Sequence, residues 1–286
     1  MEREFKLTFF QKNSEKILNT VIFIILIVVT LPIILGYLWL IIRSFSVDVV
    51  QGFIPTQFTI KNWRFLWETM EGYPNIWKAT LNTLWVALGV MGIEILITSM
   101  GGYALSRYNF RGRSFTMKFV LVLHAFPTIS LLVAVFYVLK VTGLLDKLIG
   151  VILLKASLEI PWGTWIMKGF YDGIPWELEW AGLIDGYGRM KVWWRIILPL
   201  VKPGIAVTAV FGFLSGWSEF IFVNTFIFTQ ETWTLSKYVK SIIGDFRFVD
   251  YGLVTAIGLF YVIPTLILYF LVSKYMIKLT IGGVKG

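Results

Sequence analysis

The side chains in this sequence that are best suited to carry out chemistry are a few polar residues inside long apolar stretches. Glu219 and Asn224 interrupt the stretch of residues 204–228, and Glu94 and Lys155 interrupt two earlier ones. An ionisable side chain is costly in hydrocarbon, so each is expected to face a bundle interior or a cavity, although Lys155 could instead extend toward the membrane surface. For Glu219 and Asn224 two interpretations stay open: a structural bond to a neighbouring helix, which we favour, and a place on a solute path.

The catalytic repertoire of the sequence is small. The chain has one histidine, His124, and no cysteine, which excludes thiolate metal sites and a cysteine nucleophile. A lone histidine in an apolar stretch is more often a hydrogen-bonded structural residue than a metal ligand or proton carrier. The phosphate-binding pattern G-x-x-x-x-G-K-[ST] does not occur. We therefore expect no enzyme activity, no metal and no cofactor in this chain.

The composition predicts an integral membrane protein. Hydrophobic residues make up 57% of the 286 residues and charged residues only 15%, with a mean hydropathy of +0.75, unlike a soluble domain. The net charge of +9 would fit nucleic acid only if the basic residues clustered on one soluble face. Because most of them instead flank apolar stretches on one side, membrane topology accounts for the excess.

The apolar stretches predict an all-α protein with six membrane helices, each close to the length that spans a bilayer. Around them we expect a cytoplasmic N-terminus (1–16), an external connection (43–77), a membrane core (78–273) and a cytoplasmic tail (274–286). The positive-inside rule places both termini in the cytoplasm. The predicted spans cover residues 17–42, 82–105, 119–139, 148–167, 204–228 and 252–272.

One charged, amphipathic stretch, residues 172–203, lies between the fourth and fifth spans. Pro175 suits a helix start and Gly186 a helix end, so two short helices are predicted with a turn between them. Each has apolar residues at helical spacing: Trp176, Trp180 and Leu183 in the first, and Met190, Trp193, Trp194 and Ile197 in the second. These faces could pack on membrane helices and lipid or dock into the groove of a partner protein.

Within this stretch the sequence resembles a known family. ELEWAGLIDG, followed by Ile196 and Leu198-Pro199, is similar to the EAA loop of ABC-importer permeases, with the pattern E-A-A, three residues, G, nine residues, I-x-L-P. GGYALSRYNFRGR, LSGWSEF and the terminal GGVKG resemble the sugar-importer branch, in particular the six-span subunit of the maltose-permease type. The resemblance covers nearly the whole chain and implies the type I ABC importer fold with a cytoplasmic coupling loop.

The resemblance also implies a function and partners. The chain would be a permease subunit of an ATP-driven, binding-protein-dependent importer for a sugar or oligosaccharide, in a prokaryotic plasma membrane. Its partners would be a second permease, two cytoplasmic ATPases that bind ATP and Mg, and an extracytoplasmic solute-binding protein. The residues matched to the coupling loop are Glu179, Trp180, Ala181, Gly182, Asp185 and Gly186. An ion-gradient-driven transporter or channel is the alternative, but paired mid-membrane carboxylates and an inverted repeat are not recognisable in the sequence.

The loop departs from the family pattern at one position, because Trp180 stands where the motif has glutamate. Either Glu179 supplies the charge from the neighbouring position, or Trp180 fills the partner's groove by apolar contact. We favour Trp180, since it shares a helix face with Trp176 while Glu179 points about 100° away.

Overall fold

The structure is a computed structural model that describes residues 2–50, 54–124, 127–244 and 250–282. It is almost entirely helical, and its contacts divide into two compact units, residues 1–64 with 247–260 and residues 65–246 with 261–286. The helices are α1 (Glu2–Ser44), α2 (Ile76–Arg107), α3 (Arg113–His124), α4 (Leu132–Val141), α5 (Leu148–Asp172), α6 (Trp176–Ile184), α7 (Arg189–Val192), α8 (Leu198–Leu200), α9 (Lys202–Trp217), α10 (Ile221–Phe226), α11 (Leu235–Ile243) and α12 (Tyr251–Gly282).

The first unit joins the end of α1 to the short segment that follows it. Two antiparallel strands, β1 (Val49–Val50) and β2 (Ile54–Pro55), follow α1. The amide of Asn62 donates to the carbonyls of Ser44 at 3.1 Å and Ser46 at 3.0 Å, which fixes the chain after α1. Gly252, at the start of α12, lies so close that a Cβ there would be 2.5 Å from the Asn62 amide nitrogen.

The second unit is built on three long helices, α2, α5 and α9. Gly216 of α9 lies against the α2 backbone, where a Cβ would be 2.7 Å from the Cα of Ala87. One turn earlier, a Cβ at Gly212 would be 3.0 Å from the Cα of Met91 and 2.4 Å from the Glu94 carboxylate. The G-x-x-x-G spacing therefore packs α9 onto α2 at backbone contact.

Five helices of the described residues are long and apolar enough to cross a membrane, which confirms an all-helical membrane protein: Lys16–Ser44, Ile76–Arg107, Leu148–Asp172, Lys202–Phe226 and Tyr251–Val272. The predicted span 119–139 is divided differently. There α3 ends at His124, a 3-10 turn follows over Thr128–Leu131, and α4 begins at Leu132. Pro127 precedes that turn and has no N–H to donate. The side chain of His124 lies outside the described part of the chain, so its role stays a prediction.

The fifth predicted span, 204–228, has a break in its C-terminal half. The helix α9 ends at Trp217 and α10 begins at Ile221. Oε1 of Glu219 accepts the N–H of Phe222 at 2.8 Å, so a side chain replaces a backbone carbonyl at the start of α10. The break places a carboxylate and several backbone groups inside the membrane segment, where they require partners from the protein.

Candidate functional site

The first helix of the 172–203 loop, α6, has sequence-encoded ends. Pro175 directly precedes it, and Glu177 and Glu179 lie in its first turn, at the positive end of the helix dipole. At its C-terminus Gly186 has φ +81°, and its N–H donates to the Leu183 carbonyl. The N–H of Tyr187 donates to the Gly182 carbonyl, which completes the glycine-dependent cap and reverses the chain.

The second half of the loop is less regular than a single α-helix. A π-helical turn, Trp193–Ile197, connects α7 to α8. Pro199 has no N–H for the Arg195 carbonyl, which favours this wider turn. The predicted apolar set is consequently divided: Trp193 and Ile197 are buried, whereas Met190 and Trp194 are exposed.

Glu179 is turned into the protein. It is only 3% exposed, and its Oε1 accepts the hydroxyl of Tyr103 at 2.6 Å. Its Oε2 lies 3.2 Å from Nε of Arg107, an ion pair whose N–H is not aligned as a hydrogen bond. Both partners are on α2, so this carboxylate connects the loop to a membrane helix.

Arg107 is a centre of this attachment. Besides its ion pair, its Nη2 donates to the Ile174 carbonyl at 2.7 Å, and its guanidinium carbon lies 4.5 Å from the ring centroid of Trp176. The guanidinium therefore holds the chain on both sides of the α6 N-terminus. Since the group is buried and always charged, it requires the Glu179 carboxylate.

Another face of α6, about 100° around the helix from Glu179 at Trp180, presents apolar side chains to the exterior. Trp180 is 54% exposed and Trp176 41%, and their ring centroids are 6.3 Å apart. Ile184 continues the same row at 84%. We call Trp176, Trp180 and Ile184 the tryptophan edge. A row of this kind outside the membrane segments is typical of a surface that a partner covers.

The remaining matched loop residues are divided between these two sides. Gly182 is buried against the second half of the loop, where a Cβ would be 2.7 Å from Cδ1 of Ile196. Ala181, Asp185 and Gly186 are exposed. The indole of Trp193 donates to the hydroxyl of Tyr171 on α5 at 3.1 Å. The loop is thus packed on both α2 and α5.

A second polar group lies inside the membrane segments. Lys155 of α5 has its Nζ 3.2 Å from Oε1 of Glu159 and 3.3 Å from Oε2 of Glu219. The hydroxyl of Ser215 on α9 donates to the same Glu159 oxygen. Glu219 is buried at the helix break, whereas Asn224 is exposed on α10. The structure thus brings Lys155 and Glu219 together, leaves Asn224 separate, and directs Lys155 to carboxylates rather than to the membrane surface.

Comparison with known proteins assigns the chain to a protein family. Residues 94–276 match the family of binding-protein-dependent transport system inner membrane components. The chain belongs to this family. The maltodextrin transport system permease protein MdxG of Bacillus subtilis (strain 168) is 31% identical to this permease over 225 residues, which covers 76% of this chain and 81% of MdxG.

Other relatives of the permease agree with this assignment. The maltodextrin transport system permease protein MalD of Streptococcus pneumoniae is 29% identical over 280 residues, covering 96% of this chain and 98% of MalD. Among solved structures, a chain of a bacterial ABC transporter involved in the import of the acidic polysaccharide alginate has the same fold. That chain superposes with a TM-score of 0.78 at 21% identity, covering 92% of this permease and 97% of that chain.

Three residues of the permease were missed by the reasoning from sequence. Tyr103 and Arg107 bind Glu179 from α2, and the sequence shows Arg107 only as one member of a basic turn. Glu159 follows Lys155 by four residues on one helix, a spacing that indicates an ion pair. That spacing could have been recognised in the sequence.

Glu94, which the sequence predicts to face a bundle interior or a cavity, is buried without a hydrogen bond to its carboxylate among the described residues.

Proposed function

We propose that this permease subunit forms half of the solute path of an ATP-driven sugar importer and couples that path to a separate ATPase through residues 172–203. The observation that carries the proposal is the two-sided geometry of α6. Glu179 is fixed inside the chain, while Trp176 and Trp180 face outward beside it. A helix with one anchored side and one apolar exposed side has the form required to transmit force from a partner.

The exposed side provides the contact with the partner. In the family pattern a glutamate occupies position 180, and here an indole does. Glu179 cannot replace that charge at the surface, because it is bound to Tyr103 and Arg107. We therefore assign the ATPase contact to the tryptophan edge, which would fill a hydrophobic groove. Asp185 and Gly186 shape the end of the same helix.

The anchored side provides the transmission. A displacement of the loop acts on α2 through Glu179 of α6 and Arg107, and on α5 through Trp193 of the second half, which is bonded to the fully buried Tyr171. The loop directly follows α5 and directly precedes α9 in the chain, and these contacts join it to α2 as well. Since α2, α5 and α9 pack through glycines at backbone contact, they would move as rigid bodies between two states.

The solute and partners complete the proposal. Maltodextrin in the names of two relatives supports a sugar or oligosaccharide as cargo. Asn224, exposed one turn after the helix break, would lie on the path, and Glu219 would hold the break in place. A second, different permease would complete the path. Two cytoplasmic ATPases would bind ATP and Mg, an external solute-binding protein would deliver the sugar, and both termini of the permease would be cytoplasmic.

Reconstitution tests this function. The permease is co-expressed with its companion permease and ATPase and placed in proteoliposomes with the solute-binding protein outside. We expect uptake of labelled maltotriose that requires ATP inside and binding protein outside, and that is insensitive to ionophores. Uptake that persists without ATP and collapses with an ionophore would instead establish an ion-gradient-driven transporter.

A further inference from the structure

The polar cluster of Lys155, Glu159, Ser215 and Glu219 is distributed over α5, α9 and the break before α10. Lys155 lies between the two carboxylates, 3.2 Å from one and 3.3 Å from the other. Both glutamates and the lysine are inside segments long enough to cross a membrane. Ionised side chains in such segments mark polar cavities or solute paths far more often than lipid-facing surfaces.

The two carboxylates differ in whether they have an oxygen atom without a partner. Glu219 is bound on both oxygens, by the Phe222 N–H and by Lys155, and its side chain is 5% exposed. Glu159 receives Lys155 and the Ser215 hydroxyl on the same oxygen, Oε1. Its side chain is 18% exposed, and its Oε2 has no partner among the described residues. Glu159 therefore presents one free acceptor to the exterior of the chain.

The neighbouring surface suits a sugar ring. On α5, Lys155, Glu159 and Trp162 follow at helical spacing of four and three residues, and so share one face. Trp162 is partly buried and stacks on Trp165, with ring centroids 5.6 Å apart and an interplanar angle of 18°. An aromatic face offers an apolar surface to C–H groups, and the nearby carboxylate oxygen accepts hydrogen bonds from hydroxyl groups.

The charge of the cluster decides which sugars fit. Two carboxylates and one ammonium leave it with an excess of one negative charge, and the ammonium is already bound to both carboxylates. A hydroxyl donor is accepted here, whereas a phosphate, sulfonate or carboxylate on the solute meets a like charge in a site of reduced dielectric.

From this arrangement we infer that Glu159 contacts the solute and makes this subunit selective for neutral oligosaccharides over sugars that carry an acidic group. The inference deepens the proposed function and depends on it. Its consequence is specific, because the alginate importer with the same fold is associated with an acidic polysaccharide. The carboxylates of this cluster predict that this permease instead takes solutes without an acidic group.

The test measures binding to the assembled transporter in lipid nanodiscs, without the solute-binding protein, so that only the path selects. Saturation-transfer NMR compares maltotriose with its analogue oxidised to a uronate at the non-reducing end. In the unaltered complex maltotriose should bind about 10- to 100-fold more tightly than the uronate, as expected for a like charge in partial desolvation. Glu159→Gln should reduce this ratio at least several-fold, and Glu159→Asp should preserve it.

The matched control is Glu71→Gln, an exposed carboxylate in the external segment before α2, which should leave the ratio unchanged. Equal binding of the two sugars by the unaltered complex would overturn the inference, even if Glu159→Gln fails to fold. A ratio that Glu159→Gln leaves intact would also overturn it. ATPase activity stimulated by sugar-loaded binding protein is measured in parallel, so the proposed function can stand if the inference fails.

Discussion

Trp180→Ala is the substitution that most sharply separates partner contact from internal structure. The side chain is 54% exposed, and a tryptophan presents roughly 250 Å² in all, so about 130 Å² is available to a partner. At about 25 cal/mol per Å², covering that area contributes about 3 kcal/mol. Because alanine retains part of the contact, we expect a loss of about 2–3 kcal/mol, or about 30- to 150-fold in the Kd of the ATPase.

The folded permease should tolerate the change, because the side chain is more than half exposed. The assay is titration of fluorescent ATPase subunit onto permease complexes in nanodiscs, with thermal unfolding of the permeases measured separately. Trp67→Ala is the matched control, since Trp67 is also exposed, at 60%, but lies far from the loop in sequence, between α1 and α2. An ATPase Kd within threefold of the unaltered value, in a well-folded Trp180→Ala complex, would refute the reasoning.

Three further substitutions test the internal structure, each by its thermal unfolding midpoint. Glu179→Ala leaves the buried Arg107 without its carboxylate and should cost about 3–5 kcal/mol; an unchanged midpoint would exclude a structural ion pair. Gly216→Val forces a side chain into the α2 backbone and should prevent stable folding, whereas Gly92→Ala, where a Cβ has open space, should be neutral. Burial alone would raise the pKa of Asp146, but three hydrogen bonds from Thr229 and Phe228 outweigh it and lower that pKa. Asp146→Asn should therefore destabilise at pH 7 and lose its effect as the pH falls through the lowered pKa; an equal effect at pH 3 would contradict this.

The sequence predicted the membrane class and the helical loop well, because both depend on local composition and spacing. Apolar stretches of about 20 residues can be read directly from the sequence, and so can the proline and glycine at the ends of α6. The outward face of Trp180 also follows from helical periodicity, since Glu179 is one residue away and about 100° around the helix.

The buried ion pairs and the helix break could not be predicted from the sequence, because they depend on contacts between distant segments. Arg107 and Glu179 are 72 positions apart, and nothing local distinguishes this arginine from the other basic residues of its turn. The break at Glu219 is equally non-local. Its carboxylate accepts the Phe222 N–H with one oxygen and pairs with Lys155 on another helix through the other. Pairing across helices therefore decided which polar residues became buried anchors.

A cysteine at position 180 tests most directly whether the tryptophan edge contacts a separate ATPase. The chain has no cysteine, so Trp180→Cys introduces a single reactive position in an otherwise unreactive subunit. In intact cells carrying the full transporter, with a cysteine also introduced in the ATPase surface that faces the permease, a short membrane-permeant bismaleimide should bond both thiols and join position 180 to the ATPase subunit. The equivalent substitution of Trp67 should not be joined. Labelling of position 180 by a membrane-impermeant maleimide from outside the cell, with no cross-link to the ATPase, would contradict the account.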